Sequence, residues 1–369
     1  MRVALATYST RPRGGVVHTL ALAEALASLG HDVTVWTLAR GGDAGFFRPV
    51  DPTVTVQAVP FADREDESVG RRILRSIDAL RAAFRDAGGF DASDVVHAED
   101  CISANAIGPG CLRTVHHVDR FTTPELVACH DRAIVEPRAL VCVSSAVAAE
   151  VAVGWGRTAT VIPNGVDAAR FDAASAAGAA AAARDAWRSR LDGDPLVVTL
   201  GGIEPRKGTI DLLRAVVLLR RTRTRVRLAI GGGETLFDHR DYRMAFDAEA
   251  AATDAPVTVL GPLPHDDVPP LVAVADVFAF PSTKEGFGLA AMEALAAGVP
   301  VVVRDLPVLR EVFGDAVTYA TDPGSLAAAL AEAADAPDPA RVAAGLALAR
   351  AHTWRAAAER HVALYESLA

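Results

Sequence analysis

The sequence predicts an α/β protein with two doubly wound, Rossmann-like domains that face each other across a cleft. The chain has 369 residues, which favours two domains, each large enough to bury its own core. Short apolar runs alternate with helical stretches along both halves, and a segment rich in alanine and glycine separates the two series. Strand and helix units that repeat without tandem hairpins favour parallel sheets flanked by helices.

The first series defines an N-terminal domain over residues 1–167. Helices are expected at 16–29, where Gly30 acts as the stop signal, and at 73–84. Strands are expected at 3–6, 33–36, 54–59, 95–98, 112–115, 140–143 and 161–162, followed by a Pro163-Asn164-Gly165 turn.

The second series defines a C-terminal domain over residues 168–352. It opens with the alanine-rich run at 174–183, which we expect to form a helix between the domains. Strands are expected at 196–200, 226–230, 257–260, 277–280 and 299–303, and helices at 210–219 and 289–297. Three helical stretches finish the chain, and the last one, within 353–369, is expected to pack back on the first domain. Ligands of open parallel sheets bind beyond the carboxyl ends of the strands, so we expect a site in the cleft.

The composition argues against some classes of binding partner and some cellular locations. A formal net charge of −9 argues against general nucleic-acid binding, which usually needs a basic face. The start of the chain does not resemble a secretory signal, no run of 18 apolar residues occurs, and the four cysteines lack zinc-ligand spacing. We therefore expect a cytoplasmic protein. A helix at 71–85 carries five arginines along an apolar stripe, which allows weak peripheral contact with anionic lipid or, alternatively, packing as an ordinary surface helix.

The strongest motif spans residues 281–298. After a strand that ends at Phe280, the segment Glu285-Gly286-Phe287-Gly288-Leu289 leads into a helix. Free N–H groups at a helix start favour an anion, and glycine allows a ligand to approach the backbone. Glu293 lies roughly 12 Å further along the helix, at about 1.5 Å per residue. Two carboxylates so placed can bind two ends of one ligand, sugar hydroxyls at one end and a ribose diol at the other. The alternative for Glu293 is a solvated helix charge.

A second motif places Arg206 and Lys207 between a strand and the helix that starts near Thr209. Lysine is rare in this chain, since Lys207 and Lys284 are the only two among 37 basic residues. Adjacent fixed cations at a helix start are suited to a diphosphate leaving group. The spacing of a Walker A loop is absent. The alternative for Arg206 is a solvent-exposed cation.

Two weaker signals lie in the first domain. Gly14-Gly15 after the first strand is typical of a phosphate loop or of an ordinary turn. His116 follows the strand at 112–115 and can hydrogen-bond a sugar hydroxyl or a phosphate, with Asp119 available to orient it. The alternative is a structural histidine.

Together these motifs resemble the family 4 retaining glycosyltransferases of the GT-B fold. The likeness covers nearly the whole chain and includes Gly14-Gly15, residues 114–116, Asn164-Gly165-Val166-Asp167, Arg206-Lys207-Gly208, Gly231-Gly232-Gly233 and the E-x7-E pair of Glu285 and Glu293.

The resemblance implies hexosyl transfer from a nucleotide-diphosphate sugar to a hydroxyl acceptor, without a metal or other cofactor. It assigns the donor sugar to Glu285 and His116, the ribose to Glu293, and the diphosphate to Arg206 and Lys207. Gly202 stands where the family often has an arginine, and Arg206 can supply that contact.

Two other functions fit parts of the pattern. One is a sugar-nucleotide-binding protein without turnover, and the other is a phosphorylase that holds pyridoxal phosphate on Lys207 or Lys284. Acceptor contacts are expected in loops at 40–48 and 101–109. The sequence does not identify the donor sugar, the base of its nucleotide or the acceptor.

Overall fold

The computed structural model describes residues 1–40, 45–64, 67–119, 121, 123–233 and 239–368. The chain divides into a first unit, Met1–Gly165 with Trp354–Ala369, and a second unit, Val166–Thr353. Each unit is built on a parallel sheet, and helices lie between most successive strands.

The strands of the first unit are β1 (Arg2–Ala6), β2 (Asp32–Arg40), β3 (Val54–Phe61), β4 (Val95–Ala98), β5 (Leu112–Val115), β6 (Ala139–Cys142) and β7 (Thr160–Val161). The helices along this part of the chain are α1 (Gly14–Ser28), α2 (Val69–Asp86), α3 (Cys101–Ile107), α4 (Pro124–Val135) and α5 (Ser145–Trp155). The sheet runs in the order β3-β2-β1-β4-β5-β6-β7, and each neighbouring pair is parallel. The strand order therefore reverses between β1 and β4, which is where ligands bind in such sheets.

The strands of the second unit are β8 (Leu196–Leu200), β9 (Arg227–Gly231), β10 (Val257–Gly261), β11 (Val277–Phe280), β12 (Val301–Arg304) and β13 (Thr318–Ala320). Its helices are α6 (Ala168–Ser175), α7 (Ala179–Leu191), α8 (Thr209–Leu219), α9 (Arg240–Ala252), α10 (Val268–Ala273), α11 (Leu289–Ala296), α12 (Pro307–Phe313), α13 (Pro323–Asp335) and α14 (Pro339–Ala351). The sheet runs β10-β9-β8-β11-β12-β13, again parallel, with its reversal between β8 and β11.

The last helix, α15 (Trp354–Leu368), belongs to the first unit and packs against α1. Its buried Ala358 and Tyr365 join Leu5, Leu22 and Val33 in the core of that unit. A separate core in the second unit packs aliphatic residues of β8, β9 and β11 against α8 and α13.

The predicted loop at 101–109 is wrong, because α3 occupies most of it. The Asp100 carboxylate accepts a hydrogen bond from the Ser103 backbone N–H, and the Ser103 hydroxyl completes a capping box by binding the Asp100 N–H. This cap starts a helix too short to show an apolar period. The other predicted acceptor loop, at 40–48, lies partly outside the described residues.

The predicted helix between domains is also wrong in detail. The alanine-rich run is divided between α6, which ends at Ser175, and α7, which begins at Ala179, with Gly178 between them at φ +82°. Both helices pack on the second unit, where α6 contacts α10 and α11 and α7 contacts α10. Phe171 and Leu191 are buried there, so these helices are part of that unit's core.

The arginine-bearing helix α2 turns its apolar residues inward. Ile73, Ile77, Leu80 and Phe84 are buried, whereas Leu74 is 46% exposed. This packing favours the surface-helix interpretation, and peripheral membrane contact stays a prediction. Among the described residues, none of the helices is both long and apolar enough to cross a membrane.

Candidate functional site

The two strongest motifs follow adjacent strands of the second unit. β8 and β11 are paired in parallel, so the segments after Leu200 and Phe280 emerge at the same edge of the sheet. The Thr283 N–H donates to the Arg206 carbonyl at 2.8 Å and links the two segments directly. Sheet order thus brings together residues that are about 80 positions apart in the chain.

Arg206, Lys207 and Glu285 meet at one carboxylate oxygen. Lys207 Nζ donates to Glu285 Oε1 at 2.6 Å, and an Arg206 guanidinium nitrogen lies 3.2 Å from the same atom. The Glu285 side chain is only 10% exposed, which strengthens both ion pairs relative to pairs at the surface. The residue predicted to bind sugar and the residues predicted to bind diphosphate therefore form a single site.

Glu204 is a member of this site that the sequence analysis did not identify. Its carboxylate is buried, lies 3.2 Å from the Arg206 guanidinium and 3.8 Å from His239 Nε2. Arg206 is consequently fixed between two carboxylates, those of Glu204 and Glu285. The only signal in the sequence was its position two residues before Arg206.

Gly208 allows the two segments to approach this closely. Its φ is +64°, and a Cβ placed there would lie 2.3 Å from the Pro281 carbonyl oxygen. That distance is impossible for a real Cβ, so the contact between the loops requires glycine at this position.

Glu293 occupies a different environment from Glu285. It lies on α11, where burial raises the pKa of its carboxyl to about 7, while Arg170 lowers it and Asp167 raises it. The described residues offer its carboxylate no hydrogen bond. Glu293 is half-buried, and a carboxyl near half protonation can both accept from and donate to vicinal hydroxyls. The intervening Phe287 is buried against His352, and Gly288 immediately precedes α11.

In the first unit, Gly14 and Gly15 form the first turn of α1, and His116 follows β5. The two features touch, because a Cβ on Gly15 would lie 3.3 Å from His116 Cδ2. Burial lowers the pKa of His116 to about 3, with further lowering by His117 and Arg113. His116 is therefore neutral near pH 7, and its side chain is 16% exposed.

The predicted orienting role of Asp119 is wrong for His116. Asp119 Oδ2 contacts His117 Nε2 at 2.7 Å. The carboxylate of Asp119 is therefore engaged with the neighbouring ring. The carboxylate near His116 is Glu99, whose Oε2 lies 3.4 Å from His116 Nε2.

Comparison with known proteins extends this picture. Two doubly wound parallel sheets, each with its candidate residues beyond the strand ends, define the GT-B class of fold. Anabaena HepE, solved with UDP-glucose, aligns over 100% of both chains with a TM-score of 0.78 and 17% identity. Residues 12–170 match Glycosyltransferase Family 4, and residues 183–341 match Glycosyl transferases group 1.

Relatives that align over nearly the whole chain are also glycosyltransferases. A D-inositol 3-phosphate glycosyltransferase from Stackebrandtia nassauensis is 31% identical, covering 99% of this chain and 91% of that protein. An MMP alpha-(1->4)-mannosyltransferase from Mycolicibacterium hassiacum is 28% identical, covering 99% and 98%. The chain belongs to the group 1, family 4 glycosyltransferases.

Gly208→Ala is expected to destabilise the second unit by about 2 kcal/mol or more, because it adds a clash with Pro281 to left-handed strain. Gly261→Ala is the matched control, since Gly261 has φ +71° but no atom within 4 Å of the added Cβ. It should cost about 1 kcal/mol. Calorimetric unfolding of the two variants gives the comparison, and equal losses would contradict the proposed contact.

Glu293→Gln is expected to change how stability depends on pH. The pKa of Glu293 lies above its ordinary value, so the folded protein binds more protons than the unfolded chain between about pH 4.5 and pH 7. The free energy of unfolding of the wild type should therefore fall as pH rises through that window. The glutamine variant lacks the titrating group, so it should not show this fall. Melting temperatures at pH 5 and pH 8 measure the difference, with Glu249→Gln on the surface as control. Parallel curves for wild type and Glu293→Gln would exclude a raised pKa.

Proposed function

We propose that this glycosyltransferase transfers a sugar from a nucleoside-diphosphate sugar to a hydroxyl acceptor with retention of anomeric configuration. The observation that carries the proposal is the convergence of Lys207 and Arg206 on Glu285 at the carboxyl edge of β8 and β11. Such a site combines a carboxylate for sugar hydroxyls with fixed cations for a phosphate.

Lys207 is suited to bridge the sugar and the phosphate. An ammonium has three N–H donors, and among the described residues one is used, on Glu285. The other two can bind oxygens of the diphosphate, where negative charge increases as the glycosidic bond breaks. Arg206 contributes a second permanent charge, and Glu204 keeps it in place. In this account, no proton needs to be transferred from the protein to the leaving group.

The remaining residues take complementary roles in the proposal. Glu293 would bind the ribose diol, for which a carboxyl with a pKa near 7 offers both an acceptor and a donor. Neutral His116, packed on Gly15, would bind a sugar hydroxyl. Retention follows the pattern of the family, in which the acceptor attacks on the side of the leaving group and a donor phosphate oxygen takes the proton.

Related proteins support the class of donor. HepE is solved with UDP and with UDP-glucose, and the relatives aligned over the whole chain include glycosyltransferases and a mannosyltransferase. These proteins do not identify the sugar of this chain. A thermal-shift screen of UDP-, GDP- and ADP-sugars would select the donor.

Pyridoxal phosphate chemistry at Lys207 fits the structure less well. A Schiff-base lysine needs a neutral amine, whereas Lys207 Nζ lies 2.6 Å from a carboxylate oxygen that stabilises its charge. Lys207 should therefore carry no pyridoxal phosphate in the purified protein, and loss of any pyridoxal absorbance in Lys207→Ala would contradict this.

Glu285→Ala should lower hydrolysis of the selected donor, measured without acceptor, on the order of 100-fold or more, because it removes the carboxylate proposed to bind the sugar. Glu249→Ala, which breaks a surface pair with Arg214, is the matched control and should keep wild-type turnover. Circular dichroism checks that both variants are folded.

Two outcomes would separate the alternatives. Turnover of Glu285→Ala at the wild-type rate would exclude the assigned site. Tight donor binding by wild type with no turnover, with or without acceptor alcohols, would favour a binding protein. Retention is read from the anomeric proton coupling of the first product by NMR, and an inverted product would contradict that part of the proposal.

A further inference from the structure

A group of buried polar side chains lies behind the Gly14-Gly15 turn of the first unit. We call Glu99, His18, His97 and His116 the Glu99 cluster. Their side chains come from α1, β4 and the segments that follow β4 and β5. The side chains of Glu99, His18 and His97 are at most 1% exposed, and that of His116 is 16% exposed.

Glu99 stands at the centre of this cluster. Its Oε2 lies 3.4 Å from His116 Nε2 and 3.5 Å from His18 Nε2, and its Oε1 lies 4.0 Å from His97 Nε2. Neither carboxylate oxygen makes a well-oriented hydrogen bond with the described residues, although the Thr114 hydroxyl lowers the pKa of this carboxyl. A carboxylate buried in this way is costly unless its neighbours share a proton with it.

The hydrogen bonds around the cluster determine where the protons lie. His18 Nδ1 lies 2.9 Å from Asn164 Oδ1, so its proton is on Nδ1 and its Nε2 is an acceptor. The acceptor Nε2 of His18 requires a proton from Glu99 Oε2. His116 Nε2 faces the same oxygen, Glu99 Oε2, at 3.4 Å. Because the proton of that oxygen is donated to His18, Glu99 Oε2 offers His116 only lone pairs, so the ring nitrogen that faces it carries a proton.

The charge states agree with this assignment. Burial lowers the pKa of His18 and of His116 to about 3, so both rings are neutral near pH 7 and each carries one proton. Burial raises the pKa of Glu99 to about 7, which makes a protonated carboxyl available to His18. Within the described residues, no group of three or more His, Cys, Asp and Glu side chains is arranged to hold a metal ion.

We propose that Glu99 is a positioning residue that holds His116 in the tautomer protonated on Nε2 and thereby leaves Nδ1 as an acceptor for a ligand hydroxyl. The inference rests on the role given to His116 in the proposed function and adds what sets its chemistry. An Nδ1 acceptor selects a hydroxyl donor, such as a sugar hydroxyl, over an unprotonated phosphate oxygen.

Helix α15 completes the surroundings of the cluster. Tyr365 Oη lies 2.8 Å from His97 Nδ1, and Thr114 Oγ1 lies 2.8 Å from His97 Nε2, so both nitrogens of His97 are satisfied. The Trp354 ring lies edge-on to His18 at a centroid distance of 5.3 Å. His97 is thereby kept from competing for the proton that Glu99 and His18 share.

Two substitutions of Glu99 separate positioning from packing. Glu99→Met keeps a similar volume and Glu99→Leu a smaller one, and both remove the oxygen that faces His18 and His116. Long-range ¹H–¹⁵N NMR of histidine-labelled whole protein reports the tautomer directly, and the His116 signals are assigned by their absence in His116→Ala.

Wild type should show His116 protonated on Nε2. Glu99→Met should show the other tautomer or a mixture. Its kcat for donor turnover should fall on the order of tenfold to a hundredfold, the loss typical when the hydrogen-bond partner that orients a metal-binding histidine is removed. KM for the donor should change less than kcat. Glu150→Gln, on the exposed side of α5, is the control and should match wild type.

An unchanged His116 tautomer in folded Glu99→Met would overturn the proposal, as would an Nδ1-protonated His116 in wild type. If Glu99→Met is unstable, an unchanged His116 tautomer in folded Glu99→Leu would likewise overturn it. The proposed function fails separately: a wild-type rate in His116→Ala removes His116 from the donor site whatever the NMR shows.

Discussion

The ion pairs that hold Glu285 against Lys207 and Arg206 are the interaction on which the proposed donor site depends. They exist because β8 and β11 are neighbours at the reversal of strand order, which brings the segments after them to one edge. Gly208 permits the close approach of those segments, and Glu204 fixes the second cation. A polar site with charges fixed in this way needs little reorganisation when negative charge develops on a leaving diphosphate.

The first unit repeats this design with neutral groups. β4 and β5 are adjacent, and the segments after them bring Glu99 to within 3.4 Å of His116. Here burial favours the uncharged forms, so the carboxyl and the histidines share protons instead of forming ion pairs. One unit therefore offers fixed charge suited to phosphate, and the other offers hydrogen bonds of defined direction suited to hydroxyls.

Among the described residues, apolar runs in the sequence predicted every strand except β13. Buried parallel strands are short apolar runs, and β5, β8 and β11 begin and end where those runs do. Helix α3 was missed because the Asp100 cap, rather than an apolar period, starts it. Glu99 and Glu204 were missed because their importance comes from sheet order and burial, which no local pattern encodes. The error over Asp119 arose because both His116 and His117 were possible partners in the sequence, and the structure places Asp119 on His117.

The central claim is tested most directly by the affinity of the protein for two nucleotides that differ by one phosphate. Calorimetry on wild type and Lys207→Ala would compare the nucleoside diphosphate of the selected base with its monophosphate. If Lys207 binds the diphosphate, wild type should prefer it by about tenfold or more, as expected for a charged hydrogen bond, and the variant should lose most of that preference. Equal affinity of wild type for the two nucleotides, or an unchanged preference in Lys207→Ala, would contradict the account.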